Sequence, residues 1–179
     1  MAEDFIVGSG ETFLRELKVI AASRPEAIVA STFALYCRRS FSPLADLLRA
    51  LNELSDVSIL VGYSEAEALS TYNAIAQRAP NINWSFCHGI HAKFFVAKAK
   101  LLYTGVMGSH NLSDTSFLDI SLRIRGQNAQ RLFREFNMLN KHSYSLEKIQ
   151  PYIMQLKDSR AEVIENLEDA TFCSPNSIA

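Results

Sequence analysis

Residues 27–36 and 57–63 are mostly apolar runs carrying β-branched residues, the pattern of buried strands. Between them Ser42-Pro43 opens a helix, with proline at the first helical position, where its missing N–H costs nothing. That helix carries Leu44, Leu47, Leu48, Leu51 and Leu54 at helical spacing. Two strands joined through a crossover of this length lie parallel, because a tight turn serves only antiparallel neighbours. A second helix follows, opened by a capping box at Ser64 and Glu67, running to about Ala79 and stopped by Pro80. Ahead of both strands, residues 12–23 repeat Phe13, Leu14, Leu17, Ile20 and Ala21 at helical intervals until Arg24-Pro25 ends them. Alternating strands and helices of this kind build an α/β domain.

The chain then changes habit. Residues 83–87 read as a third strand. Residues 91–98 and 101–107 follow, separated by little more than Ala99-Lys100, which forces an antiparallel hairpin. Residues 119–125 alternate polar and apolar, and residues 128–140 place Leu132, Phe133, Phe136 and Leu139 on one helical side. Residues 146–167 form an acidic helical stretch with Pro151 inside it. Trp84, Phe86, Phe94 and Phe95 are expected in the core rather than as a base-stacking platform.

At 179 residues, 48% hydrophobic and 21% charged, the chain suits one globular domain and excludes disordered, collagenous and rod-like classes. No apolar run approaches the roughly 18 residues of a membrane span, and Met-Ala-Glu-Asp is not a signal-peptide start. Cys37, Cys87 and Cys173 form no CxxC pair, so free thiols in a reducing cytoplasm are expected. The net charge is −1, but residues 68–141 hold nine bases against three acids. No acid lies between Glu67 and Asp114, which suits a region that must not repel an anion.

His91-Ala92-Lys93 is expected on a strand, with the imidazole and the ammonium on one face. A fold at Ala99-Lys100 sets His91 opposite about Gly108, so Ser109 and Asn111 lie just past the second strand. Gly105 and Gly108 are expected to leave room for a ligand near the backbone. These four polar residues converge. An imidazole is a competent nucleophile near neutrality, a lysine holds phosphate oxygens, and serine and asparagine donate to the same oxygens as charge builds. The set contains no paired carboxylates and no evident metal ligation. It suits attack on a phosphodiester without a metal or other cofactor. A zinc site from Cys87, His88, His91 and His110 fits no closed ligand spacing. Lys98, Lys100, His110, Arg38 and Arg39 are candidate substrate contacts. Arg123, Arg125, Arg131 and Arg134 either extend the cationic track or form a solvated face.

His91-x-Lys93 followed by Gly108-Ser109-x-Asn111 resembles the HKD signature of the phospholipase D superfamily. The strand–helix–strand–helix run before it, and GSHNLSDTSF leading into a strand after it, extend the likeness over roughly residues 27–125. The family's aspartate position falls on Lys98. For the glutamate that orients the histidine in the family, Asp114, Asp119 and Ser121 stand nearby without clean alignment. The resemblance implies a phospholipase D-like mixed β-sheet flanked by helices, with one motif per chain. It implies a catalytic domain over residues 1–145, with a C-terminal helix and tail, 146–179, packed on it or at a dimer interface. It further implies His91, Lys93, Ser109 and Asn111 as catalytic residues, a phosphohistidine intermediate, and a homodimer joining two copies of the motif.

The expected function is therefore a metal-independent phosphodiesterase, an endonuclease cleaving DNA in preference to RNA, without membrane insertion. By analogy alone, it would serve a restriction or defence assembly. Two alternatives stand beside it: a catalytically weak or inactive subunit that binds nucleic acid or protein, and a phospholipid hydrolase.

Overall fold

The computed structural model describes residues 5–37, 42–62, 66–87, 90–113, 118–145, 147–149, 151 and 155. Strands β1 (Phe5–Ser9), β2 (Ala27–Thr32), β4 (Val57–Val61), β5 (Asn83–Phe86), β6 (Phe94–Ala99), β7 (Leu102–Gly108), β9 (Leu118–Arg125) and β10 (Tyr144–Ser145) form one sheet in the order β1-β9-β7-β6-β2-β4-β5-β10. Strands β3 (Leu35–Tyr36) and β8 (Leu112–Ser113) form a second, two-stranded parallel sheet. The helices are α1 (Gly10–Ala22), α2 (Pro43–Asn52), α3 (Ala66–Arg78) and α4 (Gln127–Asn140). The fold is a mixed α/β sheet flanked by helices, as expected.

β2, β4 and β5 are parallel, as their helical crossovers require, and every other pairing in the large sheet is antiparallel. Ser42 caps α2 through its Oγ, which accepts from the Ala45 N–H at 3.1 Å. Asp46 on α2 is hydrogen-bonded by Arg49 and pairs with Lys18 of α1 at 3.4 Å, which together hold its carboxyl below the usual carboxylate range. The capping box at Ser64 and Glu67 and most of the acidic stretch 146–167 lie outside the described side chains.

Two cores sandwich the sheet. Phe13, Leu14 and Leu17 of α1 pack with Leu44, Leu47 and Leu51 of α2, Tyr72 and Ile75 of α3, and the Ile28, Ile59, Phe95 and Ala97 side of the strands. On the other face Ala129 and Phe136 of α4 pack with Val29, Leu60, Phe94, Val96 and Ile124. Phe94 and Phe136 meet edge-on with centroids 6.4 Å apart. β6 is thus covered on both faces, so its apolar residues run consecutively instead of alternating.

Three expectations change. The strand begins at Phe94, not His91, and residues 91–93 form its irregular approach. The hairpin turns at Lys100–Leu101, with Ala99 paired to Leu102 and Lys100 at φ 55°. That shift sets Lys93, not His91, across from Gly108. Finally, the run 27–36 is two strands, because β2 ends at Thr32 and β3 pairs separately with β8.

Candidate active site

The site lies at the C-terminal ends of the parallel strands β2 and β4, where open α/β sheets leave a crevice. The chain needs glycine there. A Cβ on Gly62, just past β4, would stand 2.2 Å from the Ile90 carbonyl oxygen. This close approach brings the segment before β6 across the strand ends. The Ser31 hydroxyl at the end of β2 then donates to the Ala92 carbonyl at 2.9 Å, fastening the middle of His91-Ala92-Lys93.

His91 is exposed and Lys93 half-buried. The Lys93 Nζ stands 3.3 Å from both ring nitrogens of His91 and donates to the His91 carbonyl at 3.1 Å. An ammonium equidistant from the two nitrogens donates to whichever one carries the lone pair. The Phe33 ring lies 4.7 Å from the imidazole, centroid to centroid and tilted by 51°. The same ring lies 5.6 Å from the Lys93 Nζ.

The second half of the motif joins through the main chain. The Gly108 N–H donates to the Lys93 carbonyl at 3.0 Å. Ser109 then follows β9: its N–H donates to the Ile120 carbonyl at 3.2 Å, and its exposed Oγ accepts from the Ile120 N–H at 3.3 Å. Asn111 turns inward. Its Oδ1 accepts from the Ala34 N–H at 3.2 Å, which commits the amide oxygen and leaves the Nδ2 as the donor end. Thr32 completes the lattice. Its hydroxyl donates to the Ala34 carbonyl at 2.7 Å and accepts from the Leu112 N–H at 3.0 Å. His91, Lys93, Ser109 and Asn111 are thereby collected at one end of the sheet.

The other candidates separate from this cluster. Lys98 and Lys100 sit at the far end of β6; Lys98 is paired with Ala27 and 3.9 Å from Glu26, about 16 Å along the strand from Lys93. His110 does not share the exposure of Ser109. It is 2% exposed and packs edge-on against Phe13 at 5.0 Å. Arg123 is held by Glu16 of α1 through two hydrogen bonds, at 2.8 and 3.1 Å. Arg38, Arg39, His88 and Asp114, and the side chain of Asp119, lie outside the described residues. Ser121 is buried against Gly108. The glycines at 105 and 108 serve the sheet rather than a ligand: a Cβ at 105 would meet the Phe95 carbonyl at 2.3 Å, and one at 108 the Ile120 carbonyl at 2.5 Å. Among the described residues, no three His, Cys, Asp or Glu side chains cluster as metal ligands would. Among the same residues, no helix is long and apolar enough to cross a membrane.

Ser31, Thr32 and Phe33 were not singled out from the sequence. Their signal was the pair of hydroxyl residues closing an otherwise apolar buried strand, at 2% and 0% exposure. Buried polar groups need partners, and here the partners are the Ala92 carbonyl within the first half of the motif and the Leu112 N–H directly after the second.

No protein-family model and no curated protein matches the chain. Solved structures do match. NucT from Helicobacter pylori is 12% identical, with a TM-score of 0.58 over 80% of this chain and 99% of that one. Nuc from Salmonella typhimurium, a phospholipase D family member, is 13% identical, with a TM-score of 0.61 over 80% and 98%. TrmBL2, an archaeal chromatin protein whose structure shows a novel mode of DNA binding, is 11% identical, with a TM-score of 0.53 over 81% and 55%. The chain has a phospholipase D-like fold.

Proposed function

We propose that this protein is a metal-independent phosphodiesterase, an endonuclease acting on DNA through a phosphohistidine, with its active site completed by a second copy of the chain. One observation carries this: His91-x-Lys93 and Gly108-Ser109-x-Asn111 meet at an open strand end of a phospholipase D-like sheet. In the free protein the Lys93 ammonium rests against the imidazole. A bound phosphodiester offers it better acceptors, so Lys93 passes to the phosphate oxygens and the ring nitrogen is freed to attack. Ser109 and the Asn111 Nδ2 supply further donors for the charge that develops.

The reaction has two steps. A nitrogen of His91 bonds to phosphorus as the bond to the leaving ester oxygen breaks. The partner subunit's His91 gives a proton to that oxygen. The same imidazole then takes a proton from water, the hydroxide bonds to phosphorus, and the phosphorus–nitrogen bond breaks, restoring both histidines. One imidazole per chain supplies one of these two roles, which is why a symmetric pair is required.

Nucleic acid is favoured over lipid by the absence of acids from residues 68–113, where Arg78, Lys93, Lys98 and Lys100 lie. A non-catalytic nucleic-acid-binding subunit is the second possibility. The likeness to TrmBL2, together with Lys98 at the family's aspartate position, favours it. Incubating plasmid and single-stranded DNA in excess EDTA, wild type beside His91→Ala, separates the two. Cleavage lost only in the variant supports the enzyme. Binding without cleavage in both supports the subunit, and full cleavage by the variant overturns the role of His91.

A further inference from the structure

We propose that Phe33 is the positioning residue for the His91 imidazole, and that Asn111 acts on the histidine through it; this rests on the phosphodiesterase function proposed above. His91 stands on an irregular, exposed segment, where a side chain samples several rotamers unless something restrains it. Nucleophilic attack on phosphorus demands one ring orientation, held within a fraction of an ångström. The contacts that hold it come from Phe33, 4.7 Å from the imidazole, and from Lys93, whose Nζ lies within 6 Å of both rings.

Phe33 is itself held. It sits between Thr32 and Ala34 in the turn that closes β2. The Thr32 hydroxyl bonds to the Ala34 carbonyl at 2.7 Å, and the Ala34 N–H bonds to the Asn111 Oδ1 at 3.2 Å. The asparagine of the second half-motif therefore clamps the turn that presents the ring. Lys93 gives up the histidine when a phosphate arrives, whereas an apolar ring forms no hydrogen bond to phosphate and is not drawn away from the imidazole. Phe33 keeps the imidazole in place during the exchange.

The test compares Phe33→Leu, Phe33→Ala and Phe33→Tyr with wild type, using kinetics on DNA in EDTA and the NMR signals of the His91 ring protons with and without inorganic phosphate. Phe33→Leu and Phe33→Ala are expected to lower kcat by about tenfold to a hundredfold with KM little changed. Their His91 ring signals should move away from the ring-current position, and Phe33→Tyr should restore both readouts. Unmoved His91 signals in folded Phe33→Leu overturn the proposal, as does a loss confined to KM. Should wild type show no cleavage, the phosphodiesterase function fails, while the ring signals still decide whether Phe33 orients His91. Phe33→Leu retains the apolar volume if Phe33→Ala fails to fold.

Discussion

The Gly108 N–H bonds to the Lys93 carbonyl at 3.0 Å, so the two halves of the motif are neighbours through the backbone before any side chain is considered. The site is as rigid as the β6–β7 hairpin that brings them together. The Lys93 and Gly108 backbones are therefore spaced by the end of the sheet, while His91, Ser109 and Asn111 lie on the irregular segments that flank it.

Gly108 carries this arrangement at the cost of tolerance. A Cβ there would lie 2.5 Å from the Ile120 carbonyl oxygen and 2.6 Å from the Ser121 Oγ. Backbone of the neighbouring strand cannot yield cheaply, so Gly108→Ala should lose about 1–3 kcal/mol in urea unfolding. Turnover should fall with it, because β7 must move away from β9. Wild-type stability in this variant would show that the strands are more loosely paired than described.

Asn111→Ala removes the acceptor for the Ala34 N–H and, on the proposed mechanism, a donor for the substrate. The part-buried N–H left behind should cost about 1–2 kcal/mol by thermal or chemical unfolding. The lost donor should cost kcat on the order of a hundredfold. Asn111→Asp keeps the acceptor, so it should recover the stability and not the rate.

A shared active site has a stoichiometric signature. When wild type is replaced stepwise by His91→Ala at constant total protein and the mixture re-equilibrated, activity should fall as the square of the wild-type fraction. A linear fall would mean that each chain works alone, and sedimentation of the wild type provides an independent measure of the pair.

Lys98 and Lys100 stand at the opposite end of β6 from Lys93. Replacing either with alanine should leave kcat within about twofold, with any effect confined to KM and to the salt dependence of binding. A large loss of kcat would place the substrate, or the partner chain, much farther along the sheet. Lys100→Gly should also stabilise by about 1 kcal/mol, since Lys100 holds a left-handed backbone at φ 55° that glycine adopts freely.

Tyr72 is fully buried and stacks edge-on against Trp84 at 5.8 Å, while its hydroxyl has no hydrogen-bond partner among the described residues. Burial pushes its phenol above the ordinary value of 10.0. The neutral form is the folded form, so its contribution is present below pH 10 and is lost as the pH rises beyond it. Tyr72→Phe should be neutral or stabilising by up to about 1 kcal/mol at pH 7. It should also unfold at higher pH than wild type in an alkaline titration followed by circular dichroism.

Periodicity made most of the framework legible. The leucines of α2, the apolar spacing of α1 and α4, and the parallel order of β2, β4 and β5 follow from local pattern and connection length. β1 was not visible because Phe5 and Val7 are exposed on an edge strand, so no burial pattern marks it. β3 and β8 are two residues each, too short for any period to register. The hairpin register slipped by two residues because the turn is set by Lys100 accepting a positive φ, a conformation for which lysine carries no signal.

The order of residues alone determined that His91 and Lys93 would travel together and that Ser109 and Asn111 would follow within a hairpin's reach, since a two-residue offset and a short link are properties of the chain itself. Tertiary structure decided which neighbours these groups keep. Phe33 and Ala34, nearly sixty and eighty positions from His91 and Asn111, reach them only because β2 pairs with β6 beside β7. The same packing turned His110 inward against Phe13 while Ser109 stayed exposed. Which way a side chain points depends on what the sheet leaves room for, and that room exists only once distant strands have closed around it.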